Sequence, residues 1–302
     1  MSQTRETQVT IVTGAMGIGK SFQTKKLLLA YEKAHPDRNI IIFDVNEEYG
    51  DDPENPDWKG YGTLNFDIQE IQQAREHNRK NPGATLVSKT ERKIRRLPRG
   101  TRRRVIPKTR YNAPMSFEQK RLTLLYLLEW VSDGLILFDD VNTYLDKWEK
   151  TEVKGMFKNV RHRRVDVVLH MQSLRPLAPV HWESVRVIRY HYDGLDVRRI
   201  REKVGELYEL MKLAQLIVEE EYLRKGNKYF YVYVHTKSRK LKCSHAALSK
   251  ALDVYSVTEK PSRIQEIAAL GAQKKGIRTP SAQMLTQALT EWKEEKLKQY
   301  LG

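Results

Sequence analysis

The chain has 302 residues, 40% hydrophobic and 30% charged, with a formal net charge of +16. That length accommodates one large domain with a small appendage. No apolar run approaches the ~20 residues of a membrane span, and the N-terminal MSQTRETQ has no apolar signal region, so a cytoplasmic protein without a membrane anchor is expected. The single cysteine, Cys243, rules out an internal disulfide and has no ligand cluster for zinc around it in the sequence, and the positive charge favours a polyanionic partner, most often nucleic acid.

In chain order, residues 9–13 (VTIVT) read as a buried β-branched strand running into Gly14. Residues 21–31 read as a helix with Phe22, Leu27, Leu28 and Leu29 available for its inner face. A second buried strand covers residues 39–43 (NIIIF) and ends at Asp44. Residues 50–62 form a loop rich in Gly, Asp, Pro and Asn, and residues 67–78 a helix. Residues 116–131 carry Leu122, Leu125, Tyr126 and Leu128 at helical spacing. Asp133-Gly134 then turns the chain into LILFD. A helix over 145–160 precedes the strand VDVVLHMQ at 165–172, and VRVIRYH covers 185–191. One long helix is expected over 196–224, then a β-hairpin at 228–244, then two polar helices over 261–275 and 281–300. Continuous apolar strands alternating with helices predict an α/β fold, a mostly parallel sheet with helices on both faces. The expected division is a main α/β domain over 1–246, with a basic insertion at 83–110, and a small helical segment over 247–302.

The sequence GAMGIGKS at 14–21 fits G-x-x-x-x-G-K-[ST]. Gly14, Gly17 and Gly19 let backbone amides turn inward around a phosphate, and the helix that follows presents its positive end. Lys20 reaches the β- and γ-phosphates of ATP, and Ser21 can ligate Mg²⁺. Hydrolysis also needs an acid near the metal and a group that orients water. LILFDD delivers both from the end of a buried strand, Asp139 on the metal side and Asp140 on the water side. Gln172 ends the next core strand, either as a sensor of the γ-phosphate or as the cap of a turn. The cluster NVRHRR supplies Arg161 and then Arg164 as candidates for a finger completing a neighbour's site, or for contacts to DNA; Arg175 is a further candidate.

In their order, VTGAMGIGKS, NIIIFDVNEEY, LILFDDVNTYL and VRHRRVDVVLHMQSLRPL resemble the HerA–FtsK group of P-loop ATPases, which includes DNA pumps and viral packaging ATPases. The RH-x-x-x-D turn is similar to one in Zot-type filamentous-phage assembly ATPases. The resemblance runs from Val9 to about His191. It implies a RecA-like (ASCE) fold, ATP–Mg²⁺ held by Lys20 and Ser21, Asp139 on the metal, and Gln172 as sensor. It also implies a homo-oligomeric ring, pentamer or hexamer, with an arginine finger in trans. One position departs from the pattern: Asp140 stands where the family usually has Glu, one methylene shorter. Glu47 or Glu48, after the second strand, could share its task.

Between Lys89 and Arg110 stand eleven Lys or Arg against one Glu. With few apolar residues, this run reads as a loop or hairpin whose Arg95, Arg96, Arg99, Arg102, Arg103 and Arg104 grip phosphates without reading bases. The leading functional expectation is a ring ATPase that translocates double-stranded DNA, a viral genome-packaging motor in a bacterial host cytoplasm. The alternatives are a Zot-like assembly ATPase acting on single-stranded DNA and a DNA-binding switch that moves nothing. The tail could bind DNA, pack as a lid, or dock on a portal or capsid protein.

Overall fold

The computed structural model describes residues 7–145, 160 and 162–302; the helix expected over 145–160, and Arg161, lie outside the described residues apart from its end positions. The chain divides into two compact units, Met1–Val185 and Arg186–Gly302. The boundary expected at 246/247 falls inside the second of these.

In the first unit the strands are β1 (Val9–Thr13), β2 (Asn39–Phe43), β3 (Gly62–Thr63), β4 (Arg102–Val105), β5 (Gly134–Phe138) and β6 (Val165–Met171). They lie in the order β3-β4-β2-β5-β6-β1, and every pairing among them is parallel. Ile40, Ile41, Ile42 and Phe43 are fully buried in succession, so both sheet faces are covered. Each such side chain contributes about 1.5–3 kcal/mol of burial. One face meets helix α1 (Lys20–Ala34), whose Leu28 and Tyr31 join Val12, Ile40, Ile42, Leu135, Leu137 and Val168 in a single cluster. Phe22, expected on the inner face, is instead 46% exposed, and Thr24 and Lys25 are buried in its stead. Helices α2 (Ile68–Lys80), α3 (Lys89–Arg95) and α4 (Phe117–Trp130) follow. Asp67 caps α2, Ser88 caps α3, and Ser116 with Gln119 forms a capping box on α4.

The basic run is therefore not a loop. Its first half is α3, fastened to α2 because the Glu70 carboxylate accepts from Lys89 N at 2.7 Å and Thr90 Oγ1 at 3.0 Å. Its second half is β4, in register with β2 from Ile40↔Arg102 to Phe43↔Val105. Arginines are tolerated in this strand because acids and carbonyls meet them. Arg104 pairs with buried Asp44 at 3.0 Å, and Arg102 reaches Glu32 at 3.4 Å and the Arg38 carbonyl at 2.7 Å.

In the second unit β7 (Val185–His191), β8 (Tyr231–His235) and β9 (Lys240–Lys242) form antiparallel pairs, the last two as the expected hairpin. The single long helix expected over 196–224 is broken. A 3₁₀ turn at Val197–Ile200 and a short helical turn at Arg201–Val204 precede Gly205, whose φ of 56° and ψ of −125° stop the helix. Helix α5 (Tyr208–Glu219) then buries Leu210, Met211, Leu213, Ala214 and Ile217, and widens into a π turn at Glu220–Arg224. Three helices, not two, follow: α6 (His245–Thr258), α7 (Pro261–Lys274) and α8 (Ala282–Tyr300). Cys243 sits half-buried beyond β9, and burial pushes its thiol up to about 11, so it is a poor nucleophile at neutral pH.

Candidate active site

The site gathers at the C-terminal ends of three neighbouring parallel strands. β1 ends in the glycine loop, with Gly17 at φ 77° and Gly19 at φ 75°, a left-handed backbone that favours glycine. Gly14 N donates to Met171 O at 3.2 Å, tying the loop to the end of β6. Lys20 opens α1 with its ammonium turned back onto the loop, donating to the carbonyls of Gly14 at 2.6 Å and Ala15 at 2.7 Å. Ser21 is the next residue, in the first turn of the same helix.

β5 ends at Asp139 and Asp140. Asp139 is buried, and both its oxygens are held: Asn46 Nδ2 donates to Oδ2 at 3.0 Å, and His170 Nδ1 lies 3.2 Å from Oδ1. Its backbone carbonyl accepts from the Tyr144 hydroxyl at 2.9 Å. Asp140 sits at φ 43°, a left-handed conformation that Asp and Asn tolerate better than most residues. Burial pushes its carboxyl above the ordinary range; the hydrogen bond from Gln172 opposes this and the Asp139 charge adds to it.

β6 lies between β1 and β5, and carries Gln172 just past its end. Gln172 Nε2 donates to Asp140 Oδ1 at 3.0 Å, while its backbone N donates to Asn142 Oδ1 at 2.8 Å. Gln172 thus ties the end of β6 to Asp140 at the end of β5 and to Asn142 in the turn beyond it. The loop after β2 is ordered by Asp44, which accepts from Glu48 N at 2.9 Å and Tyr49 N at 3.1 Å and pairs with Arg104. Burial is the leading influence on the Asp44 carboxyl and raises it; the Arg104 hydrogen bond pulls it back. This loop meets the site through Asn46, whereas Glu47 is exposed and paired with Lys108 at 2.7 Å.

Arg164 stands elsewhere. It is exposed at the start of β6, at φ 56°, in a two-pronged pair with Asp133 at 2.7 and 2.8 Å. The length of β6, roughly 20 Å at ~3.3 Å per residue, separates it from the glycine loop of its own chain. Arg175 is exposed at the site's end of β6. Of the six arginines expected on DNA, Arg102 and Arg104 are held as described above. Arg95 pairs with Glu91 at 2.8 Å and lies over the Trp130 ring, 5.9 Å from its centroid. Arg96, Arg99 and Arg103 are exposed.

The residues fit a magnesium nucleotide. The loop is shaped for close approach, Lys20 supplies charge, and Ser21 and Asp139 supply the hard oxygens Mg²⁺ prefers. Among the described residues no cluster of three or more His, Cys, Asp or Glu could hold a metal unaided. A cation at this place would share phosphate oxygens, as Mg²⁺ commonly does. The architecture is a P-loop fold, a glycine loop between a buried parallel strand and a helix.

No family model and no curated protein matches the chain. Among solved structures it is similar to the genome-packaging NTPase B204 of Sulfolobus turreted icosahedral virus 2. The complex with AMP is 15% identical, with TM-score 0.48, over 80% of this chain and 98% of that one. The AMPPCP complex gives 14% and 0.47, over 78% and 96%. The N-terminal domain of zonular occludens toxin from Neisseria meningitidis gives 12% and 0.32, over 61% and 76%. Sequence reading missed Asn46, Asn142, Thr24 and His170, single polar residues inside or beside apolar elements.

Proposed function

We propose that the protein is a Mg²⁺-dependent ATPase that assembles as a ring and translocates double-stranded DNA, in the manner of a viral genome-packaging motor. The observation that carries the ATPase reading is the Gln172–Asp140 hydrogen bond beside buried Asp139, at the ends of β6 and β5, next to the strand that leads into the glycine loop. Here Lys20 binds and neutralises the terminal phosphates, and Ser21 with Asp139 would hold Mg²⁺, which supplies charge neutralisation on the phosphate oxygens when bound. Asp140 accepts a proton from the attacking water and Gln172 fixes its carboxylate. Burial raises the affinity of Asp140 for protons, the direction a general base needs.

The net charge of +16 supports the DNA reading, and so does the exposure of Arg96, Arg99 and Arg103. With Arg102 and Arg104 engaged inside the unit, these three and their exposed neighbours Arg92 and Lys93 on α3 are the proposed phosphate contacts. Among the described residues no helix is long and apolar enough to cross a membrane. The test is ATP turnover with and without long duplex DNA across a salt series, beside single-molecule displacement. A motor's rate rises many-fold with duplex, and if ~6–10 phosphates are contacted its DNA affinity falls by about 10³–10⁵ between 50 and 200 mM salt. Tight DNA binding with a non-hydrolysable analogue but no displacement would make it a switch.

A further inference from the structure

The buried histidine of β6 is used by none of the roles above. His170 is 1% exposed in the middle layer of the site, between β1 and β5. Its Nε2 lies 2.9 Å from Thr24 Oγ1, and Thr24 stands one helical turn beyond Lys20 and Ser21, itself fully buried. Its Nδ1 lies 3.2 Å from Asp139 Oδ1, with the Tyr49 hydroxyl at 3.5 Å. A carboxylate only accepts hydrogen bonds, so Nδ1 carries the proton and donates to Asp139. In the neutral ring Nε2 then accepts from the Thr24 hydroxyl. The imidazole is a rigid strut between the helix bearing Ser21 and the strand bearing Asp139.

We propose that His170 is a positioning residue that sets Asp139 against Ser21, through Thr24, so that the pair is spaced for a divalent cation. The inference rests on the ATPase reading and deepens it. Outer partners of this kind orient ligating carboxylates, and their removal costs about 10–100-fold in metal affinity or activity. A ring of fixed length suits the task better than a flexible chain, because it transmits any shift of α1 to Asp139 and any shift of Asp139 to α1.

The experiment measures Mn²⁺ affinity by electron paramagnetic resonance in the presence of ADP, beside metal-free ADP affinity and kcat and KM at saturating Mg²⁺. His170→Ala is expected to weaken Mn²⁺ binding about 10–100-fold and to lower kcat, with metal-free ADP affinity unchanged. His170→Asn, whose amide nitrogen replaces Nδ1 as the donor, recovers most of that loss. Thr24→Val keeps the shape, removes the hydroxyl and weakens Mn²⁺ binding in the same direction. Combined with His170→Ala it adds nothing further, because both act through one strut. Wild-type Mn²⁺ affinity in His170→Ala overturns the proposal, as does equal loss in the Asn variant, or additive losses in the double variant. Lys20→Ala separates the two levels. If it binds nucleotide normally the ATPase reading fails; if it does not while His170→Ala resembles wild type, only the strut fails.

Discussion

At the residue scale, the proposed function assigns binding to Lys20 and chemistry to Asp140. Lys20 is the charge nearest the loop, so Lys20→Ala is expected to cut ATP hydrolysis by about 10²–10³-fold, the scale of losing one preorganised donor. Fluorescent-nucleotide titration should show weakened binding as well. Asp140→Asn is the contrasting variant. Asn keeps an oxygen for Gln172 Nε2 and accepts the left-handed backbone at φ 43°. It also relieves the burial penalty that raises the Asp140 carboxyl. The expected outcome is hydrolysis lowered by about 10²–10⁴-fold, the contribution of a general base, with ATP still bound and Tm held or raised. Full hydrolysis in Asp140→Asn would move the base elsewhere, to Glu48 first. The legible part of this site is the part built from motifs. GAMGIGKS and the acid pair after an apolar strand have fixed spacing, and the chemistry follows from it. Asn46 and His170 were illegible because their meaning depends on strand order. A histidine at the sixth position of an apolar strand becomes a partner of Asp139 only because β6 lies against β5.

At the element scale, β4 decides between charge as a surface and charge as a core. Arg104 was read as a phosphate contact, yet it is the cation beside Asp44, a carboxylate with 0% exposure. Removing one partner of a buried pair strands the other and costs about 3–5 kcal/mol. Arg104 keeps some solvent access, 18% of its side chain, so Arg104→Gln is expected at the lower end, about 3 kcal/mol. The pH dependence has a definite sign. Without Arg104 the Asp44 carboxyl rises further, so between its unfolded and its raised folded value the variant takes up a proton on folding. Its deficit is therefore greatest near neutral pH and shrinks as pH falls through the raised value, because protonation removes the stranded charge. Urea denaturation at several pH values tests this; a variant as stable as wild type at neutral pH, deficient only in DNA binding, would restore the phosphate-contact role. Gly205 gives a second test. A Cβ there meets nothing within 4 Å, so Gly205→Ala is opposed by backbone alone. At φ 56° and ψ −125° the expected cost is about 1–3 kcal/mol. A neutral Gly205→Ala in denaturant melts would mean the break relaxes into the continuous helix that the periodicity suggested. Apolar strands such as NIIIF were legible because burial on both faces leaves one composition. The basic strand was not, because its acids, Glu32 and Asp44, lie far from it in sequence.

At the scale of the whole molecule, the parallel sheet gives each chain two unlike ends. One end carries the glycine loop, the acid pair and Gln172; the other carries Arg164, paired with Asp133 where β5 and β6 begin. A strand's length lies between them, roughly 20 Å, so Arg164 cannot serve the pocket of its own chain in this arrangement. In a ring, subunits related by rotation bring unlike surfaces together, and an arginine from one chain can complete the next chain's pocket. An arginine supplied in trans contributes about 10³–10⁵ to hydrolysis in enzymes that use one. That arrangement makes defects complementary. A Lys20→Ala chain keeps its arginine and lacks a pocket; an Arg164→Ala chain keeps its pocket and lacks the arginine. Each alone is expected to be inactive, and mixing them under exchange should recover activity above either, rising with protein concentration. The Asp133 pair adds a control, because Asp133→Asn releases Arg164 without removing it and should leave complementation intact. If the mixture stays silent while Arg161→Ala complements Lys20→Ala, the finger is Arg161 and the Arg164–Asp133 pair is a strut between β5 and β6. If neither arginine variant complements and dilution leaves the specific rate unchanged, each chain hydrolyses alone and the ring reading fails with it.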